Sequence, residues 1–109
     1  EMLPPRPSLR LIAMNDMHGA FRPRPVGNLG NRGGFAQIAT MVREAQAECA
    51  PACATLVLSG GDLFTGTPPS DLTKGALVVP VLNAMGFAAH ALGNHEFDYG
   101  QDTLRVRMR

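Results

Sequence analysis

Long hydrophobic runs are missing from this sequence. No window approaches 18 uninterrupted apolar residues, so no segment reads as a helix crossing a bilayer. An excess of one charge is missing too: ten Lys/Arg stand against nine Asp/Glu, for a net charge of +1. Even the more basic stretch, residues 1–32, sets five arginines against Glu1 and Asp16. That balance excludes a nucleic-acid domain that tracks a polyanion, and leaves room for a small anion site. Cysteine is scarce, and two residues are too few for a disulfide framework. Cys49 and Cys53 bracket Ala-Pro-Ala, which reads either as one small-loop disulfide in an oxidising compartment or as two free thiols near a helix end. Repeats and low-complexity tracts are absent. Residues 1–10 hold three prolines and no apolar core, so they do not read as a signal peptide; they fit a mature chain from which one has been removed.

What is present is ordinary globular material: 109 residues, 45% hydrophobic and 17% charged, enough for one core and not for two. Residues 1–8 form a Pro/Arg-rich leader, and residues 9–109 read as one portion of a larger domain. Residues 9–15 (LRLIAMN) are a nearly continuous apolar run of strand length, and its two-sided apolar character predicts an interior strand. Residues 19–34 carry five glycines and two prolines and read as a loop. Phe35, Ile38, Ala39, Val42 and Ala45 recur at helical spacing opposite Arg43, Glu44, Gln46 and Glu48, which predicts an amphipathic helix ending before Pro51.

Residues 54–59 (ATLVLS) predict a second interior strand running into Gly60-Gly61-Asp62. A polar stretch with Pro68 and Pro69 follows, then a helical segment over 76–85. Pro80 lacks an N–H and clashes one turn back, so that helix either kinks there or starts late with Pro80 in its first turn. Residues 87–92 predict a third strand, with His90 buried inside it, ending at Gly93-Asn94-His95-Glu96. The order is β-α-β-α-β, which argues for an α/β fold with a parallel core and right-handed crossovers. Two helices cover one sheet face, or both incompletely. With nine residues after its most polar cluster, the chain reads as part of a larger sheet.

The polar residues sit where the strands end. Asp16 and His18 follow the first strand, Asp62 the second, and Asn94, His95, Glu96 and Asp98 the third. In a parallel sheet the carboxyl ends share one edge, and ligand sites collect there. Carboxylates, imidazoles and an amide are hard or borderline donors for a divalent ion, and the set holds no thiolate. An extended Asp16-Met17-His18 tripeptide would point both outer side chains the same way. Taken singly, Asp16 reads as a loop cap, His18 as a surface histidine and Asp62 as a turn residue or N-cap; three consecutive strand ends make the set.

On these residues the sequence resembles the calcineurin-like metallophosphoesterases, and within them the branch of 5′-nucleotidases, UDP-sugar hydrolases and 2′,3′-cyclic phosphodiesterases. The matching stretches are LIAMNDMHGAF at 11–21, RGGFAQIATMV at 32–42, LVLSGGDLFTGTPPSDLTKG at 56–75 and VLNAMGFAAHALGNHEFDYG at 81–100. Asp-x-His, Gly-Asp and Gly-Asn-His-Glu carry the superfamily. The Phe-Asp-x-Gly extension and the Phe-x-Gly-Thr-Pro segment point to the branch.

The resemblance implies the N-terminal part of a four-layer α/β/β/α fold and a hydrolase of phosphoric esters using two divalent ions (Mn, Zn, Fe, Co, Ca or Mg). It implies that Asp16 and His18 ligate the first ion, Asp62 bridges both, and Asn94 ligates the second ion and touches substrate. His95 then matches the catalytic, substrate-binding histidine, Asp98 the carboxylate that orients it, and Glu96 a supporting group that anchors the loop or raises ligand basicity. The expected partner is a small phosphoester, a nucleotide by the branch, with no nucleic acid; the isolated chain is expected either to self-associate or to be marginally folded. The parent protein is expected in a periplasmic, extracellular or cell-surface location. Three further histidine ligands belong downstream of Gly-Asn-His-Glu in such enzymes, and none follows His95 here. That leaves weak or no turnover for this chain, with a non-catalytic metal- or partner-binding piece and a manganese-dependent sulfur-oxidation hydrolase as alternatives.

Overall fold

The computed structural model describes residues 7–109; most of the leader, residues 1–6, lies outside the described residues. Strand β1 (Ser8–Met14) pairs in parallel with β4 (Cys53–Ser59) over seven residues, from Ser8 opposite Cys53 to Met14 opposite Ser59. β4 pairs in parallel with β5 (Ala89–His90), giving the order β1-β4-β5. Helix α1 (Phe35–Cys49) crosses between β1 and β4. Helices α2 (Pro68–Leu72) and α3 (Val78–Ala84) lie between β4 and β5, and α4 (Gln101–Arg107) follows. The chain has the α/β fold expected, with a parallel β-α-β-α-β core.

Several elements depart from expectation. The glycine-rich segment contains a small antiparallel ribbon, β2 (Arg24–Pro25) with β3 (Asn31–Arg32). Pro68 and Pro69 open a helix rather than break one, because the first turn has no intrahelical use for their missing N–H groups. α3 takes the late start, with Pro80 in its first turn. The third strand shrinks to two residues: Ala88 N–H to Val57 O and Ala91 N–H to Ser59 O, both 2.8 Å, bracket the ladder. β5 and β1 are both edges here, so His90 is exposed instead of buried; its ring stacks on Phe87 with centroids 5.1 Å apart. Among the described residues β1 is likewise not interior, and β4 alone is flanked on both sides.

Alternation along the strands gives the sheet two unlike faces. One carries Arg10, Ile12, Met14, Thr55 and the buried Val57, and Arg10 on it donates to Ala45 O of α1 at 2.6 Å. The other carries Leu9 and Leu11, each 60% exposed, in register with Ala54 and Leu56. The principal core lies beyond the strand ends, where Met17, Phe35, Leu63, Phe64, Val78, Leu82, Met85 and Leu104 pack together. The body is flat, 60 × 39 × 20 Å, with a radius of gyration of 16.5 Å against about 13 Å for a compact chain of this length. Cys49 and Cys53 are joined as a disulfide, tying the end of α1 to the start of β4.

Candidate metal centre

Pairing between β1 and β4 does not stop at Met14. Gly60 N–H bonds Met14 O at 2.9 Å, Asp16 N–H bonds Gly61 O at 3.0 Å, His18 N–H bonds Asp62 O at 3.0 Å, and Gly19 N–H bonds Leu63 O at 2.8 Å. The two loops are thus zipped side by side, which sets Asp16 and His18 beside Asp62. The tripeptide 16–18 is not extended, however. Asp16 and His18 adopt left-handed φ of 55° and 48°, and Asp62 another of 55°. Left-handed backbone is strained for side chains larger than glycine and gathers at functional sites. The side chains converge through this turn rather than through strand alternation.

Asp16, His18 and Asp62 each offer a ligand atom, and these atoms all lie within 4.8 Å of one another. His18 Nδ1 sits 2.7 Å from Thr65 O, which can only accept, so Nδ1 is the donor nitrogen and Nε2 is the one turned toward the cluster. That Nε2 lies 3.5 Å from Asp16 Oδ1. Asn15 Nδ2 donates to Asp16 Oδ2. Two carboxylates and one imidazole nitrogen with its other nitrogen already fixed are a donor set that fits a divalent ion.

The third loop arrives through Asp62 and Glu96. Asp62 Oδ1 accepts the backbone N–H of His95 at 2.9 Å. Glu96 is buried, and its carboxylate takes the backbone N–H groups of Asp62 (2.8 Å), Leu63 (2.6 Å) and Gly93 (2.6 Å). Gly61 and Gly93 make this approach possible. A Cβ on Gly61 would strike the Gly93 N–H, and one on Gly93 would overlap the Asp62 carboxylate. These glycines therefore serve loop-against-loop packing. Gly34 serves packing too, against the backbone of Arg22 and Pro23, far along the chain from the carboxylates.

His95 and Asp98 form a pair, Nδ1 to Oδ2 at 2.7 Å. The hydrogen bond to Asp98 raises the His95 pKa, and the same bond lowers that of Asp98. The His95 and His18 rings meet edge to face with centroids 4.9 Å apart, so the pair borders the cluster. Asn94 opens the 3-10 turn Asn94–Phe97 and is exposed one residue before His95. Partial desolvation lowers the His90 pKa, and this exposed histidine stands apart on β5. Sequence reading missed Thr65, whose carbonyl holds His18 and whose hydroxyl donates to His95 O at 3.3 Å. Its only signal was its place in the Phe-x-Gly-Thr-Pro segment.

Residues 9–107 match the calcineurin-like phosphoesterase family. The chain belongs to that family. A 5′-nucleotidase of Vibrio vulnificus is 39% identical over 97 residues, covering 88% of this chain and 17% of that protein. Among solved structures, a 5′-nucleotidase precursor from Thermus thermophilus is 30% identical with a TM-score of 0.80, over 90% of this chain and 19% of that one. The sulfate thiohydrolase SoxB of Thermus thermophilus superposes with a TM-score of 0.84 at 20% identity, over 99% of this chain and 29% of that one, a likeness of fold. This phosphoesterase chain therefore spans less than a fifth of the length of these two 5′-nucleotidases.

Proposed function

We propose that this chain supplies the first-metal half of a binuclear phosphoesterase centre of the 5′-nucleotidase type. The observation that carries the reading is the Asp16–His18–Asp62 cluster, bordered by a histidine held by its carboxylate partner. Two divalent ions bound there would activate a water and offset charge on the phosphate. Asp16, His18 and Asp62 would hold the first ion, and Asp62 with Asn94 would begin the second site. Asp98 favours the charged form of the His95 imidazole and orients it, so that it can stabilise negative charge or give a proton to the departing oxygen. Glu96 fixes Asp62 and Gly93 to one another from behind.

The nucleotide assignment rests on identity to the Vibrio vulnificus 5′-nucleotidase over most of this chain. The likeness to the sulfate thiohydrolase is one of fold at 20% identity and does not favour sulfate release. The Cys49–Cys53 disulfide supports an oxidising, non-cytoplasmic compartment. The test is hydrolysis by the full-length polypeptide that carries this sequence, in Mn²⁺. Release of phosphate from nucleoside 5′-monophosphates, abolished by chelator, is expected. Cleavage of sulfur esters alone, or metal-independent turnover, would overturn the assignment.

A further inference from the structure

Two segments mark the branch in the sequence, and beyond Thr65 and Asp98 their residues have no role in the centre described so far. They are Phe64-Thr65-Gly66-Thr67-Pro68 and Phe97-Asp98-Tyr99-Gly100. In the structure they meet at Asp71, on the short helix α2. Asp71 Oδ1 accepts the backbone N–H of Gly66 at 3.0 Å and the hydroxyl of Tyr99 at 2.6 Å. Gly66 is in turn pressed on His18: a Cβ on it would lie 2.8 Å from His18 Cβ and 3.0 Å from His18 O. Thr65, next to it, accepts the His18 Nδ1–H. On the other side, Tyr99 adjoins Asp98, which holds His95. α2 is itself fixed, through Thr67 Oγ1 to Gly19 O at 2.5 Å and Ser70 Oγ to Phe64 O.

We propose that Asp71 is a positioning residue that sets the His18 and His95 rings relative to one another, with Tyr99 as its second arm. One carboxylate oxygen holds the loop that seats the candidate metal ligand and the loop that carries the candidate acid. It touches neither ring. Its effect is to keep the edge-to-face spacing of 4.9 Å between them. A purely structural tie would need no particular acceptor at this point, since α2 is already anchored by Thr67 and Ser70.

The inference rests on the proposed centre for its consequence, but the geometry is testable without metal. The experiment follows the imidazole Nδ1–H signals of His18 and His95 by NMR in the ¹⁵N-labelled full-length polypeptide that carries this sequence, and Mn²⁺ binding by calorimetry, for Asp71→Asn, Asp71→Ala and Tyr99→Phe. Asp71→Asn retains an acceptor oxygen and should preserve both signals and keep the Mn²⁺ Kd within about threefold. Asp71→Ala should broaden both signals and weaken Mn²⁺ about tenfold, the size of effect expected for groups that orient a ligand; Tyr99→Phe should broaden His95 first. Unchanged signals in Asp71→Ala would overturn the proposal, as would Asp71→Asn behaving like Asp71→Ala. The expected signal changes in the variants, alongside a wild-type chain that binds no Mn²⁺, would uphold the positioning role and sink the metal reading instead.

Discussion

Glu96 holds Asp62 from behind: its buried carboxylate accepts the Asp62 backbone N–H at 2.8 Å while the Asp62 side chain faces the cluster. The same carboxylate also satisfies Leu63 and Gly93. Removing it leaves three donors without their partner, at about 1–3 kcal/mol for each that stays buried. Glu96→Ala should therefore lose at least about 1–3 kcal/mol of stability by urea titration, with weaker Mn²⁺ binding, since the Leu63 donor is the fully buried one. A loss below about 1 kcal/mol would show that water replaces the carboxylate freely.

On the proposed function, His95 and Asp62 should divide their labour in the full-length polypeptide. His95→Ala should lower kcat by roughly 10²–10⁴ with metal content nearly intact, since its assigned work is proton transfer or charge stabilisation. Asp62→Ala should strip metal. Metal analysis of both purified variants decides, and metal lost only from the His95 variant would reverse the assignment.

The His95–Asp98 pair has a defined pH window. His95 is raised above its ordinary 6.5 by the bond to Asp98, so its contribution is complete below 6.5 and is lost as pH rises through the higher folded value. Asp98 is lowered from 3.8 by the same bond, so its contribution is present above 3.8 and is lost as pH falls through the lower folded value. The pair is whole between those limits. In Asp98→Asn the His95 midpoint, followed by NMR titration, should fall toward 6.5; an unmoved midpoint would mean that Asp98 does not charge the ring.

Turnover by the 109-residue chain itself should be at least about 10³-fold slower than by the full-length polypeptide. The second ion would have only Asp62 and Asn94 from this sequence, too few ligands for a two-metal clamp. Phosphate release by the purified chain in excess Mn²⁺ measures this, and comparable rates would sink the idea.

Association should follow from the bare sheet face. Leu9 and Leu11, each 60% exposed, stand in register with Ala54 and Leu56, and covering them is worth about 25 cal/mol per Å² of apolar area. The isolated chain should sediment as a concentration-dependent oligomer, and Leu11→Lys should shift it toward monomer. A cooperative wild-type monomer melting above about 60 °C would show the chain closes its core unaided.

Where residue pattern determined structure, the reading was close. The period of Phe35, Ile38 and Val42 located α1, and the apolar runs located β1 and β4 within a residue or two. The third strand was overread because Ala88, Ala89 and Leu92 look like strand, whereas pairing with β4 alone supports only Ala89 and His90. α2 is too short and too polar to show a helical period, and its only signal is Pro68 at a helix start. The candidate ligands were legible as residue types after strand ends. Their left-handed backbone was not, since nothing in Asp-Met-His announces a positive φ; it comes from the loop-to-loop hydrogen bonds at Gly61, Asp62 and Leu63. Asp71 and Tyr99 were invisible for a similar reason, being 28 residues apart in the chain.

The close approach of Gly61 to Gly93 also bears on how this sequence can vary. At 93 the backbone is ordinary, φ −86°, so many residues suit its torsions, yet a single methyl group would displace the Asp62 carboxylate. At 61 the torsion and the contact both forbid a side chain. In a saturation library, then, these two positions, neither of which offers a metal ligand, should be as intolerant as Asp62 itself. Alanine, the mildest replacement elsewhere in the chain, would be ruinous at both.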